Sequence, residues 1–400
     1  MQKLFPTFGV KNISAYYLLA IFFNGWFIMP NWVFYFRQHI SQIEVGWVEG
    51  AAILVGILME VPSGALADLL GKKKTIIAGC LLIVISCTVL INASTFLNFL
   101  IGNILMFVGF SFQSGATEAF AYDSMKVEGK EQHYDTVVAK HTSLSIAATL
   151  FSTFVGGYLY SLAPEAPFYA WAVFMLISVA LLLSTREPKI GSEHFSSRVY
   201  LDHLKEGVKT LFSQKLHNYL IPLLMLPITI KLYQGLVRQS MAGYFGYTGE
   251  TFGYLFALIS IPSIYLSFKY DLIRKYFSNK KILLFNLFSF MCAFFIASIT
   301  NNIILGGGVY LIINLTENIT KPLISSLINE RIDSKHRATT LSTLALVSQV
   351  PYIILVSCFA FMTEAFYLPT LLLIYALGLM AAFIYSFKYV KNEPTIVKSI

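Results

Sequence analysis

Glu60-Val-Pro-Ser-Gly64-Ala-Leu-Ala-Asp68-Leu-Leu-Gly71-Lys-Lys-Lys74 is the stretch on which the fold turns. A long apolar run stops here and a block of positive charge begins. Gly64 has no side chain, so another helix can approach closely there. Asp68 puts a carboxylate at the negative end of a helix dipole, an unfavourable place that calls for a partner. Gly71 suits a tight turn or helix C-cap. Lys72, Lys73 and Lys74 then mark the cytoplasmic side of a membrane.

The whole chain agrees with that reading. It has 400 residues, 56% hydrophobic and 12% charged, about half the charge of a soluble domain. Twelve apolar runs are long enough to cross a bilayer. They lie near 12–36, 45–70, 75–92, 97–124, 140–162, 166–185, 217–246, 250–273, 281–299, 302–329, 339–361 and 366–390. Of the 29 Lys and Arg residues, all but Arg37, Lys231, Arg238 and Lys321 fall at the termini or in alternate connections. The positive-inside rule therefore places both termini in the cytoplasm. The net charge of +8 reads as topology signal and anionic-lipid contact, with no nucleic-acid partner. The expected location is a bacterial inner membrane, with the protein a multi-pass monomer. The first apolar run is too long for a signal peptide. Cys80, Cys87, Cys292 and Cys358 fall within apolar runs and read as buried small hydrophobes.

Residues 186–216 form the one long polar connection. Tyr200, Leu201, Leu204, Val208, Leu211 and Phe212 recur there at helical spacing, opposite Asp202, Lys205, Glu206 and Lys209. That pattern predicts an amphipathic helix on the inner membrane surface. It separates residues 1–185 from 217–400, and the two parts echo each other. Asp271, Arg274 and Lys275 follow the eighth span as Asp68 and the lysines follow the second; Thr316-Glu317 repeats Thr117-Glu118; Thr339-Thr-Leu-Ser342 repeats Thr142-Ser-Leu-Ser145. A near-constant offset of about 200 residues indicates a duplicated six-helix unit.

The opening stretch resembles the signature between the second and third spans of the major facilitator superfamily, Gly-x-Leu-Ala-Asp-Arg-x-Gly-Arg-Lys. Gly64, Leu66, Ala67, Asp68, Gly71, Lys72 and Lys73 match; Leu69 stands where the family has Arg. Glu60-x-Pro62-x-Gly64 is similar to a version found in the drug:proton antiporter-like branch. The resemblance covers essentially the whole chain. It implies an all-α fold of twelve transmembrane helices in two pseudo-symmetric six-helix bundles, rocking around a midplane site. It also implies that Asp68 and Asp123 join a charge network closing an inner gate, with Asp271 in the second copy. Without the Arg at Leu69, Lys72, Lys73 or Arg337 must serve as the cation. Ser152-Thr-Phe-Val-Gly156-Gly157 resembles the glycine-rich fifth-span motif of exporters, less its Pro. Adjacent glycines are read equally well as a tight helix contact.

Ionisable groups inside apolar spans are costly and need a reason. Glu118 lies within the fourth span and Glu317 within the tenth; Lys321, one turn on, can pair with Glu317. Burial favours the neutral form of a carboxyl group and permits reversible protonation. Glu118 and Glu317 are therefore candidate proton or sodium carriers, with a structural polar cluster as the alternative. In the seventh span Lys231, Gln234 and Arg238 follow helical spacing; if that face lines the cavity, Lys231 and Arg238 are candidates to attract an anionic group, and near the outer end they merely snorkel. Asn24 and Asn31, on one face of the first span, are candidates to line the substrate site. No phosphate loop, zinc-protease motif or nucleophile elbow appears, and the histidines lack metal-ligand spacing.

The reading is a secondary transporter, not an enzyme, with no cofactor or metal. Its partners are a small-molecule substrate, a coupling ion and the bilayer. The leading expectation is proton-coupled export of an amphipathic or toxic compound. The alternatives are uptake of a small anionic nutrient, and a transporter-like receptor without flux.

Overall fold

The computed structural model of the protein describes residues 4–188 and 197–390. Lys3, Lys189, Lys391 and Lys398 lie outside the described residues, as do the side chains of Arg198, Tyr200, Leu201 and Lys335. No β-strand occurs among the described residues, and eleven helices are long and apolar enough to cross a membrane. Only 22% of the apolar window of Gln42–Leu70 is buried, and Leu54 and Leu58 are exposed. The chain forms an all-helical, multi-pass membrane protein.

By contacts the chain divides into two compact units. The first holds residues 1–196 and Gly249–Ala257. Its helices are α1 (Lys11–Phe23), α2 (Trp32–Phe36), α3 (Gln42–Leu70), α4 (Lys72–Ile91), α5 (Phe96–Gln113), α6 (Ala116–Val127), α7 (Tyr134–Leu162) and α8 (Ala166–Leu183). Local chemistry sets several ends. Ser41 accepts from the Glu44 amide and Glu44 from the Ser41 amide, a complete capping box at α3. Gly71 ends that helix at φ +98°, a conformation that favours glycine. Gly79 of α4 lies so close to α5 that a Cβ there would meet the Gly109 carbonyl oxygen at 2.7 Å. Small residues at such a crossing let helices interlock in lipid, where no hydrophobic effect drives them together.

The first predicted span is broken, and this is why eleven helices rather than twelve meet the length criterion. After Phe23 the chain turns through Asn24, Gly25 and Pro30 before α2 resumes the path. Asn24 donates to the Ala20 carbonyl and Asn31 to that of Gly156. The first bond satisfies an acceptor freed by the break, as lipid requires; the second ties the buried Asn31 to the interior of α7. Gly156 touches the turn so closely that a Cβ would strike the Phe27 backbone. Its neighbour Gly157 meets residues 249–257, where a Cβ on Gly253 would sit 2.7 Å from the Gly157 Cα. Gly156→Ala is expected to lower the midpoint of thermal unfolding by about 5 °C or more. Gly308→Ala, with nothing within 4 Å of the added carbon, should lower it far less. Differential scanning fluorimetry of both variants checks this.

The second unit holds Ser197–Thr248 and Leu258–Ile400. Its helices are α9 (Ser197–Leu211), α10 (Leu220–Leu232), α11 (Arg238–Tyr244), α12 (Gly249–Phe268, its start in the first unit), α13 (Tyr270–Tyr276), α14 (Asn279–Ile299), α15 (Ile303–Arg331), α16 (Ser334–Ala365) and α17 (Leu368–Val390). The linker helix α9 forms, but one face rests on α16 rather than on lipid. Gly207 permits this, since a Cβ would meet the Thr339 carbonyl at 3.0 Å. His336–Glu206 at 3.1 Å and Lys215–Asp333 at 3.2 Å flank that contact.

Candidate functional site

Between α10 and α11 the seventh span runs through a π-helical turn, Tyr233–Val237, with Gly235 at ψ −105°. A π turn inserts one residue into the ladder, and such turns gather at functional sites. Here it rotates α11 relative to α10. Lys231 is half-buried and Gln234 exposed, but Arg238 is only 2% exposed. The single face expected for residues 231, 234 and 238 therefore does not persist across the turn.

Gln234 Nε2 donates to Glu317 Oε1, and Glu317 Oε2 has no hydrogen-bond partner. Glu317 is half-buried on α15. The Arg238 guanidinium exerts a Coulombic pull on that carboxylate. Tyr310 donates to the Arg238 carbonyl oxygen at 2.6 Å, which satisfies an acceptor beside the turn. Lys321 is exposed and is not the partner of Glu317. Gln234 reaches the carboxylate first, from a neighbouring helix, whereas Lys321 points out one turn on. One oxygen of Glu317 is thus positioned by an amide donor, and the other is buried without a hydrogen-bond partner.

The first unit carries a looser arrangement. The fourth span breaks at Gly115, φ +60°, and Glu118 follows in the first turn of α6, where a carboxylate suits the helix dipole. Its side chain is exposed, and its backbone carbonyl accepts from Tyr134 at 3.3 Å. Asn24 bonds back across the end of α1, and Asn31, 1% exposed, is turned onto α7.

At the end of the helices that bears the positive clusters, the opening motif is built as a knot. Lys72 Nζ pairs with Asp123 Oδ2. Lys72 fills the place of the cation missing at Leu69, whose side chain is 75% exposed. Glu187 Oε1 and Oε2 accept from the backbone amides of Lys72 and Lys73 at 2.7 and 3.0 Å. A carboxylate at these first free N–H groups is favoured by the dipole. Lys73 Nζ donates to the Thr185 carbonyl oxygen at 2.7 Å. Asp68 and Gly64 are half-buried at the end of α3.

The second unit repeats the knot with different residues. Arg274 Nη2 bonds Glu330 Oε1 at 2.8 Å, and Asn279 Nδ2 reaches the same oxygen at 2.7 Å. Arg331 holds the other oxygen at 3.3 Å and lies 3.9 Å over the Tyr219 ring. Asp271 is exposed and outside this network; Glu330 is its acid. Arg337 donates to the Ile332 carbonyl at 2.8 Å. The sequence reading passed over Glu187 and Glu330. The offset that aligns Glu118 with Glu317 sets Asp123 opposite Pro322, so the duplication carried no signal for Glu330. No group of His, Cys, Asp and Glu able to hold a metal occurs among the described residues.

A family model described as Major Facilitator Superfamily matches residues 16–356. Among curated proteins, the chain is similar to the "Uncharacterized MFS-type transporter YxaM" of Bacillus subtilis (strain 168), 22% identical over 244 residues. That match spans 59% of this chain and 60% of the relative's length. The fold is similar to the nucleoside transporter NupG, with TM-score 0.78, 11% identity and coverage of 95% of this chain and 98% of that one. It is also similar to a D-xylose-proton symporter, with TM-score 0.68, 12% identity and coverage of 96% and 97%. A third similar structure is a bacterial homologue of the human lysosomal transporter Spinster, with TM-score 0.72, 14% identity and coverage of 97% and 100%.

Proposed function

Since the chain belongs to the Major Facilitator Superfamily, a family of membrane transporters, we propose that it is a proton-coupled exporter of a small amphipathic compound and not an enzyme. It works as a monomer in a bacterial inner membrane, with both termini cytoplasmic. The observation that carries this reading is the Glu317 carboxylate, held at one oxygen by Gln234 and buried without a partner at the other. A proton arriving from outside binds Oε2, while Oε1 keeps its amide donor. Loss of that proton toward the cytoplasm restores the charge, which Arg238 balances. Glu118, exposed within its span, offers the second acidic contact for a cationic or polar end of the substrate. The substrate leaves as the proton enters, by alternating access. Lys72–Asp123 and Arg274–Glu330 are the inner-gate contacts of the two repeats.

Arg238 and Lys231 favour one second reading, uptake of an anionic nutrient, because both cations lie on the span that supplies Gln234. The discriminating experiment uses acid-loaded inside-out vesicles containing the protein. Lipophilic cations, antibiotics, sugars, amino acids and organic acids are added in turn while lumenal pH is followed. Proton efflux triggered by lipophilic or toxic compounds is the expected result. Movement triggered only by organic acids, lost in Lys231→Ala, would replace export with uptake.

A further inference from the structure

Glu49 stands about two turns into α3, and Asn103 about two turns into α5. Both helices begin at the end of the unit opposite the Lys72–Asp123 knot. Glu49 is 8% exposed and Asn103 1%. An acid placed this deep in an apolar span is costly and needs a reason. The proton path through Glu317 does not use it.

Asn103 Nδ2 donates to Glu49 Oε2 at 3.2 Å, while Asn103 Oδ1 is buried with no hydrogen-bond partner. That amide oxygen distinguishes the two forms of the acid. An ionised carboxylate only accepts, so it serves the amide nitrogen and never the amide oxygen. A protonated carboxyl has one O–H to give. With the proton on Oε1, the acid donates to Asn103 Oδ1 while Asn103 donates to Oε2. Two hydrogen bonds then close a ring, and the buried acceptor is satisfied as lipid requires. Turning the amide over does not remove the need for the proton. Oδ1 would then meet Oε2, two acceptors with no hydrogen between them.

The surroundings fit an uncharged pair. No charged or titratable side chain occurs on α5 from Phe96 to Gln113. The lysines of α4 stand at its far end, and Cys87 is the buried titratable group on its near half. Arg37, which follows α2, donates to Gln42 Oε1 at 2.7 Å, and Glu44 closes the capping box at the start of α3. Two turns beyond the pair, Ser111 Oγ donates to the Gly56 carbonyl at 2.8 Å. That bond fixes the register of α5 on α3 and keeps the two side chains opposed. We propose that Glu49 binds a proton and holds it at neutral pH in a closed acid–amide pair with Asn103, a proton site of the first unit separate from Glu317. The site stands whatever the direction of transport and whichever residue carries the coupling proton.

Infrared spectroscopy of the full-length protein in hydrated lipid films at neutral pH tests this without substrate. The C=O stretch of a protonated carboxyl is separate from the stretches of a carboxylate. Subtracting the Glu49→Gln spectrum from the native one is expected to leave a protonated-carboxyl band and no carboxylate bands. The amide introduced by Glu49→Gln can donate to Asn103 Oδ1 and accept from Nδ2, so the thermal midpoint should stay at the native value. In an Asn103→Leu background the same subtraction should give a band moved to higher frequency, because the carboxyl C=O has lost its donor. Asn103→Ser carries that comparison if the leucine variant does not fold. Carboxylate bands in the native difference spectrum would overturn the proposal. So would a marked fall in the midpoint of Glu49→Gln, or a band that stays in place when the amide is removed.

Discussion

Glu317→Gln is expected to bring substrate-driven proton movement down to the level of protein-free vesicles, a fall of at least about 100-fold. Losing a positioned proton carrier has effects of that size elsewhere. The substitution keeps the geometry: an amide oxygen at position 317 still accepts from Gln234 Nε2, whose bond to Oε1 anchors the side chain. It removes the atom with no partner, Oε2, and with it the only place on this side chain where a proton can come and go. Protein yield and thermal midpoint should therefore hold while coupling fails. Downhill exchange of substrate, which moves no net proton, should persist. Reconstituted protein with a lumenal pH dye and labelled substrate measures both. A Glu317→Gln protein that still moves protons with substrate would take the coupling role away from this residue and leave Glu118 to be tested the same way.

The second large effect is expected at the Lys72–Asp123 pair. Asp123→Lys should abolish transport and lower stability by about 3 kcal/mol. That is the low end for breaking a buried ion pair, because both side chains keep some exposure, 16% and 11%. The variant places two cations face to face beside a backbone already crowded by Glu187, whose carboxyl carbon would lie 2.8 Å from a Cβ at Gly71. The double variant Lys72→Asp, Asp123→Lys restores opposite charges and should recover much of the lost stability. Recovery will be incomplete, since an acid at position 72 sits beside Glu187 rather than above it. Transport rate and unfolding midpoint in the two single variants and the double variant yield the coupling between the positions. Additive losses would mean that the pair is a surface contact with no part in closing the gate.

Much of this molecule is legible along the chain. Apolar runs of bilayer length, alternate positive loops and the Gly64–Asp68–Gly71 motif point to a multi-pass helical transporter before any contact is known. Each is a local property: length against membrane thickness, charge against the side of the bilayer, a glycine where a turn needs positive φ. The linker helix is legible for the same reason, through the spacing of Leu204, Val208, Leu211 and Phe212. Partners are another matter. Glu317 and Lys321 are neighbours by spacing, yet the carboxylate bonds to Gln234, far away in sequence. Helical periodicity joins Lys231, Gln234 and Arg238 into one face, and a π turn, which leaves no simple mark in residue order, rotates Arg238 into the interior. Asp271 copies Asp68 in position, but Glu330 holds the arginine.

Hydropathy and charge, read residue by residue, thus decided that the chain is all-helical and crosses the membrane many times. Side-chain partners in lipid were decided by tertiary structure alone. Each buried polar atom must find a donor or acceptor on whichever helix packs against it, and that neighbour is set by helix crossings at residues such as Gly79, Gly156 and Gly207, not by distance along the chain.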